Sequence, residues 1–243
     1  MSVRTVIITQ ARLRSTRLPG KVLLSVRGRT LLEWHLERLR RCFAADEVVL
    51  AATTNPGDDP LVAVAARLGL RCHRGPEEDV LERFRGAAEA ARGEIVVRVT
   101  ADCPLWDPEV GARTIRSLDA AFDYAANSLD WTYPRGLDTE VFWRDVLERL
   151  ARLAPPAPCP EREHVTWMVK TSRPELFARK SVRAPADDSD LRWCVDTRED
   201  FACVSAIYEG LEDPFAAYPQ VLAWVRAHPE VPRLNALVKQ KKV

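Results

Sequence analysis

The stretch Val3-Arg4-Thr5-Val6-Ile7-Ile8-Thr9-Gln10-Ala11-Arg12-Leu13-Arg14-Ser15-Thr16-Arg17-Leu18-Pro19-Gly20-Lys21 decides the reading of the whole chain. Its first part is rich in β-branched residues and reads as a buried strand over 3–9. That strand passes directly into a loop carrying four cations, Arg12, Arg14, Arg17 and Lys21, within ten residues. In open α/β sheets, ligands bind in the crevice beyond the carboxyl ends of the strands, which is where this loop stands. Arginine forks grip phosphate oxygens in pairs and lysine adds a point charge. The small residues Ser15, Thr16 and Gly20 let backbone amides approach an anion. The loop suits a triphosphate, yet it is neither a Walker loop nor a dinucleotide Gly-x-Gly-x-x-Gly. Without more context, a basic loop of this kind reads equally as a solvated surface.

Outward from this loop the first half alternates strands and helices. Apolar runs at 48–53, 70–73 and 95–100 read as further buried strands, and 31–42, 60–68, 79–92 and 108–120 as helices. In the first helix Leu32, Leu36, Leu39 and Phe43 share one side, while Glu37 and Arg41 can pair on the other. Such a βαβ series predicts a mostly parallel sheet. Beyond Asp123 the pattern loosens into short strands at 124–127 and 139–142 around a polar aromatic loop. The proline run 155–160 reads as an exposed connection between helices. A strand at 191–195 should return to the same sheet, with helices over 199–211 and 218–227 as cover. The basic end, Lys239 to Lys242, reads as solvated. We expect one compact unit over 1–243, with a nucleotide-binding half (1–123), an acceptor and dimerisation region (124–190), and a return strand with terminal helices (191–243).

Composition narrows the function. With 36 basic and 35 acidic residues among 243 the formal charge is +1, so no global field draws the chain to nucleic acid or to a membrane surface. No apolar run reaches the roughly 18 residues of a membrane span, and the first strand candidate, Thr5 to Ile8, is far too short for a signal h-region, so a cytoplasmic location is expected. The six cysteines form no Cys-x-x-Cys pair and the four histidines no ligand spacing, which disfavours zinc and predicts reduced thiols. Any metal must be bound by oxygen.

The order Gln-Ala-Arg-x-x-Ser-x-Arg-Leu-Pro-Gly-Lys at 10–21 resembles the N-terminal signature of the CMP-sugar synthetases, the acylneuraminate and ketodeoxyoctonate cytidylyltransferases. Within that family it is most similar to the spore coat polysaccharide biosynthesis protein F group. The segments 74–84, 98–105, 133–138 and 195–200 continue the resemblance in the same order over nearly the whole chain. Three positions depart from it: Arg14 stands for glycine, Trp106 for a small aliphatic residue and Arg198 for proline. The resemblance implies a three-layer, Rossmann-like nucleotidyltransferase fold with a mostly parallel mixed sheet and a small β/α insertion for dimerisation and acceptor binding. It implies CTP as co-substrate, Mg²⁺ as cofactor, a homodimer, and CMP transfer to a small anionic acceptor such as a sugar acid, polyol phosphate or phosphonate. By the same resemblance Arg12, Arg17 and Lys21 hold the triphosphate together with Ala11 and Ser15, while Arg74 and Thr100 lie near base and ribose.

Nucleotidyl transfer needs charge neutralised at phosphorus, which Mg²⁺ on one or two carboxylates does. Asp102 and Asp196 each follow a predicted strand and are the expected ligands. Each reads otherwise as a helix N-cap, although Thr197 and Asp200 offer a capping box that would leave Asp196 free. Asn127, Tyr133, Arg135, Asp138 and Glu140, with Trp131 among them and His164 from a later helix, are the candidate acceptor residues. The same loop reads alternatively as aromatic packing at a dimer interface. No residue stands out as a dedicated general base, and positioning with electrostatic stabilisation can carry much of such a reaction. Rival readings are a sugar-phosphate nucleotidyltransferase using another NTP, a glycosyltransferase, and a binding module that retains the nucleotide pocket.

Overall fold

A computed structural model of the chain describes residues 3–240. Nine strands occur in it: β1 (Thr5–Gln10), β2 (Ser25–Val26), β3 (Arg29–Thr30), β4 (Glu47–Thr53), β5 (Arg71–Gly75), β6 (Ile95–Thr100), β7 (Tyr124–Ala126), β8 (Glu140–Trp143) and β9 (Arg179–Ser181). The α-helices are α1 (Leu31–Leu39), α2 (Asp59–Arg67), α3 (Val80–Ala90), α4 (Pro108–Ser117), α5 (Arg144–Leu153), α6 (Pro160–Glu163), α7 (Arg198–Gly210), α8 (Tyr218–Ala227) and α9 (Glu230–Arg233). Seven strands form one sheet in the order β5-β4-β1-β6-β8-β7-β9, in which only β8 runs against the rest. The β2–β3 pair stands apart as a small ribbon.

Alternation along each strand sends its side chains to two apolar layers. Ile7, Leu50, Val97 and Val141 face α1, α2 and α4 on one side. Val6, Ile8, Val49, Val96 and Phe142 face α3 and α5 on the other. The expected three-layer α/β architecture follows. A third cluster, built from Trp34, Leu105, Tyr133, Leu137 and Trp193 with residues of α7 and α8, packs the C-terminal segment against the end of the sheet. Among the described residues, no helix is long and apolar enough to cross a membrane.

The chain order of the sheet explains where a site must form. From β1 the chain moves outward through β4 to β5, then returns to β6 on the other flank of β1. The loops after β1 and β6 therefore leave in opposite directions, and the register places Gln10 opposite Thr100 at their common carboxyl end. This reversal opens a crevice at the end of the two strands.

Three expectations are corrected. The segment 191–195 is extended but does not enter the sheet, because β8 already occupies the flank of β6. Its backbone pairs instead with Arg135 and Asp102: the Arg135 amide donates to Leu191 O, the Trp193 amide to Arg135 O and the Val195 amide to Asp102 O at 2.8 Å. The first helix ends at Leu39, so Phe43 leaves the apolar stripe and is 66% exposed. Glu37 pairs with Arg40 rather than Arg41, whose guanidinium lies 3.6 Å from the centroid of the Phe215 ring. The proline run joins α5 to α6 as expected, and the six cysteines are free. Lys241 and Lys242 of the basic end lie outside the described residues.

Candidate active site

The 11–21 loop is held in shape before any ligand arrives. Its Leu13 amide donates to the carboxylate of buried Asp58 at 2.8 Å, and the Gly20 amide closes back onto Leu13 O at 2.9 Å. Gly20 sits at φ 69°, a left-handed conformation that glycine adopts without strain, and from it the chain turns into the short helical turn Lys21–Leu23. Val22 is buried in the core, so Lys21 is fixed at its root. The Ala101 amide donates to Gln10 O, tying the loops after β1 and β6 together. Beneath them His35, fully buried, bridges Thr9 Oγ1 and Cys103 O at 2.9 Å each. Burial lowers its pKa to about 4, so this strut is neutral at ordinary pH.

Three segments converge on one ammonium group. Lys21 Nζ donates to Asp102 Oδ2 at 3.1 Å and to Asp196 Oδ1 at 2.8 Å. Asp196 Oδ2 also meets Arg17 at 2.9 Å and Arg192 at 2.8 Å. Burial opposes the charge on Lys21, but the two carboxylates outweigh it and raise its pKa. Burial likewise opposes ionisation of Asp102, and Lys21 foremost overcomes it, holding that carboxyl well below its usual range. Neither aspartate is a helix cap. The caps are Asp107 for α4 and Thr197 for α7, the latter in the anticipated capping box with Asp200. Asp200 is fully buried, accepts from the amides of Asp196 and Thr197, and anchors Arg192 at 2.8 Å. Arg192 thus positions Asp196 from behind.

Two adjoining cavities flank this convergence. The smaller, about 360 Å³, is lined by Ala11, Arg12, Ser15, Arg17, Lys21, Thr100, Asp102 and Asp196, together with Arg83 and Arg98. Five arginine or lysine side chains face three carboxylates in it, a local excess of positive charge that suits a polyanion. The larger, about 880 Å³, is lined by Arg135, Asp138, Glu140, Lys170 and Arg179, with Trp131 and Trp167 as aromatic walls. Arg98, Thr100, His164 and Gln240 border both, so the two form one continuous depression.

Most candidate residues meet here, but three do not. Arg74 donates to Thr53 O, Asn55 O and Asp59 Oδ1 at 2.7–2.8 Å, an arrangement that ties down the turn after β4 and keeps it off the cavity wall. Asn127 is buried and clamps Leu137 O and the Thr139 amide at 2.8 Å each. Tyr133 is also buried, packed at 5.5 Å from Tyr218. Arg14 pairs with Glu77 at 3.8 Å at the surface. Sequence reasoning missed Arg83, Arg98, Lys170 and Arg192. Arg83 and Arg98 lie within the resembling segments 74–84 and 98–105 but carry no role there, while Lys170 and Arg192 lie outside those segments and nothing in their local pattern distinguishes them from solvated charges.

Two hard carboxylates from different loops, 3.1 and 2.8 Å from a single cation, are a donor set that fits a divalent ion needing one or two carboxylates plus phosphate oxygens. Among the described residues no cluster of three or more acidic, histidine or cysteine ligands exists, so such an ion would depend on the nucleotide to complete its shell.

Comparison with known proteins supplies the family. The cytidylyltransferase family profile matches residues 6–151. The spore coat polysaccharide biosynthesis protein SpsF of Bacillus subtilis (strain 168) is 32% identical over 92% of this chain and 94% of its own. The 3-deoxy-manno-octulosonate cytidylyltransferase of Psychrobacter arcticus is 33% identical over 44% of this chain and 41% of its own. A solved cytidylyltransferase from Leptospira borgpetersenii serovar Hardjo-bovis superposes with a TM-score of 0.91 at 27% identity, covering 100% of both chains. The matched span contains the 11–21 loop, Asp102, strands β4, β5 and β6 and nearly all of β1, and on these grounds the chain belongs to the cytidylyltransferase family.

Proposed function

We propose that this protein transfers CMP from CTP to an oxygen of a small anionic acceptor, releasing pyrophosphate with the help of Mg²⁺. The observation that carries the reading is the convergence of Lys21, Asp102 and Asp196 between a cation-rich cavity and a roomier one with its own cations. The triphosphate belongs in the smaller cavity, where Arg12, Arg17 and Lys21 exchange their carboxylate partners for phosphate oxygens. Mg²⁺, when held by Asp102 and Asp196, would neutralise the charge on the α-phosphate and the departing pyrophosphate. The nucleotide half is then 1–123. The acceptor region 124–190 lines the larger cavity with Arg135, Lys170 and Arg179, which suit the anion of a sugar acid, polyol phosphate or phosphonate. The relatives named for spore coat polysaccharide synthesis and for 3-deoxy-manno-octulosonate support a saccharide context. The family resemblance supports a homodimer, which light scattering on the purified protein checks.

Thermal shift with the four nucleoside triphosphates and Mg²⁺ tests the base preference, because a ligand at 100 times its Kd stabilises by about 2.7 kcal/mol. CTP should give the largest shift, and pyrophosphate should appear when an acceptor from a panel of sugar acids, polyol phosphates and phosphonates is added. The reading is sunk if CTP yields no pyrophosphate with any of them, or if UTP or ATP with a sugar 1-phosphate is turned over instead.

A further inference from the structure

A carboxylate that removes a proton from an attacking oxygen must be ionised with free lone pairs, stand in the acceptor cavity, and have enough proton affinity to do the work. Six acidic side chains line the two joined cavities: Asp102, Glu163 and Asp196 in the smaller, Asp130, Asp138 and Glu140 in the larger. Five are engaged. Asp102 and Asp196 hold Lys21, and Glu163 pairs with Arg12 at 3.5 Å. Asp130 meets Arg183 at 3.7 Å. Glu140 accepts from Arg98 and Lys170 at 2.8 Å each and from Thr166 at 2.5 Å. For Asp138 no hydrogen bond or ion pair to its carboxylate is found among the described residues, and its side chain is partly open to the cavity.

We propose that Asp138 is the general base of the transfer and that the attacking oxygen of the acceptor is a hydroxyl rather than a phosphate or phosphonate oxygen. The inference rests on the cytidylyl-transfer reading and narrows its acceptor. In the step, the hydroxyl O–H bond breaks with its proton passing to an Asp138 carboxylate oxygen while the acceptor oxygen bonds to the α-phosphorus of CTP. The bond from that phosphorus to the bridging oxygen breaks, and pyrophosphate leaves with the electron pair. Asp138 then returns its proton to solvent through the open cavity. A phosphate or phosphonate oxygen arrives already ionised and would leave such a group without a task.

Placement supports the assignment. Asp138 lies on the segment between β7 and β8, two residues beyond Gly136, whose φ of 107° and close approach to Trp193 press that segment onto the strap ending at Asp196. The groups that interact with it electrostatically are Arg135 on its own segment, Lys170 from the turn after α6, Glu140 from β8, Asp102 and Cys103 from the loop after β6, and Cys194 from the strap. Burial pushes its pKa up to about 6, with Asp102 and Glu140 adding to the rise and Arg135 and Lys170 opposing it. At neutral pH it is ionised yet far more basic than an ordinary carboxylate. Arg135 and Lys170 remain beside it to hold the acceptor's own anion.

The test measures pyrophosphate release by the full chain with CTP and Mg²⁺ from about pH 5 to about pH 8.5, using wild type, Asp138→Asn and Asp138→Glu. The acceptors are 3-deoxy-manno-octulosonate and N-acetylneuraminate as hydroxyl nucleophiles, glycerol 3-phosphate and 2-aminoethylphosphonate as ionised ones, and water alone. Carboxyl ¹³C NMR follows Asp138 directly. The wild-type rate should fall about tenfold per pH unit below about pH 6, with a hydroxyl acceptor preferred. Asp138→Asn should lose about 10²–10⁴ in kcat and its acid limb while keeping the CTP-induced thermal shift, and Asp138→Glu should recover part of the rate. An unchanged acid limb in Asp138→Asn, an Asp138 titration near the ordinary carboxylate value, or preferential use of the ionised acceptors overturns the proposal and leaves cytidylyl transfer standing. No CTP-induced shift and no pyrophosphate from any acceptor, water included, would defeat both.

Discussion

The two cavities meet at Arg98 and Thr100 yet are built on opposite electrostatic plans. On the nucleotide side the central charges are mutually saturated: Lys21 bridges two carboxylates, and one of these also meets Arg17 and Arg192. On the acceptor side, no ion pair to Asp138 or Arg135 is found among the described residues, while Glu140 behind them is satisfied by Arg98, Lys170 and Thr166. Under the proposed function, the contrast follows from what each side would receive. A triphosphate brings four charges and its own metal, and can displace internal ion pairs one for one. A small acceptor brings little binding energy, so its groups must already stand free. Each prediction below tests one side of that contrast.

Lys21 should show the largest effect. Lys21→Met removes the cation that both carboxylates share and, on the proposed function, a donor to the triphosphate, and kcat/KM should fall about 10³-fold, roughly 4 kcal/mol of transition-state stabilisation. The same variant carries a test of the saturation argument. With the ammonium gone, Asp102 and Asp196 repel each other, so Mg²⁺ alone, without nucleotide, should raise its melting temperature more than that of wild type. Equal shifts in the two proteins would mean that Lys21 does not occupy the place of the metal.

Glu140 comes next, as the satisfied exception on the open side. It is 4% exposed, and replacing it with Gln leaves Arg98 and Lys170 facing each other without their counter-charge, at about 3 kcal/mol by urea unfolding. The pH dependence separates it from its neighbour. Burial opposes the charge on Glu140, but Lys170 and Arg98 lower its folded pKa to about 2. Its contribution is therefore present above the usual value of about 4.5 and lost as pH falls from there through about 2. Asp138 has the opposite sign: its folded pKa is raised, so its contribution is present below the unfolded value and lost as pH rises through about 6. Glu140→Gln should flatten the stability curve below about pH 4.5 and Asp138→Asn should flatten it between about pH 4 and about pH 6. The same window lost in both variants would show that the two acids are not independent.

The nucleotide side was far more legible in the sequence than the acceptor side, and the reason is physical. Strand β1 and its loop are contiguous, so the four cations at 12–21 and their place after an apolar strand can be read together. Asp102 is legible in the same way, directly after β6. The acceptor wall is assembled from five separate stretches: β6, the β7–β8 connection, the turn after α6, β9 and the C-terminal end. No periodicity announces that Arg98 and Lys170 share Glu140, or that Asn127 and Tyr133 turn inward to hold the loop that presents Arg135. The strap at 191–195 was misread for a related reason. Its Leu-Arg-Trp-Cys-Val pattern is strand-like, but whether a strand joins a sheet depends on a free edge, and β8 had taken it.

Gly136 shows how the open side is kept in place. A Cβ there would lie 2.7 Å from the Trp193 carbonyl carbon and the Cys194 amide, at a φ that L side chains rarely adopt. Gly136→Ala should cost about 2 kcal/mol of stability. It should also depress turnover beyond what stability explains, because Arg135 and Asp138 flank the shifted backbone. The CTP-induced thermal shift, which reads the other cavity, should survive, and its loss would mean that the two sides are mechanically one.

The smallest effect is expected at Arg135, and it is the most specific. Its guanidinium lies 3.9 Å from the centroid of the Trp131 ring, which fixes the plane of the fork without spending any of its donors on a carboxylate. If that fork binds the acceptor's anion in the ground state and the transition state alike, Arg135→Ala should raise the acceptor KM about tenfold, roughly 1.4 kcal/mol, with kcat and the KM for CTP little changed. Arg135→Lys keeps the charge but loses the planar pair of donors and much of the stacking, so it should recover only part of the loss. Full recovery by lysine would reduce the role to a point charge, as at Lys21. A fall in kcat with KM unmoved would place Arg135 on the transferring phosphate, and the division between a saturated nucleotide side and an open acceptor side would have to be redrawn one residue further along the loop.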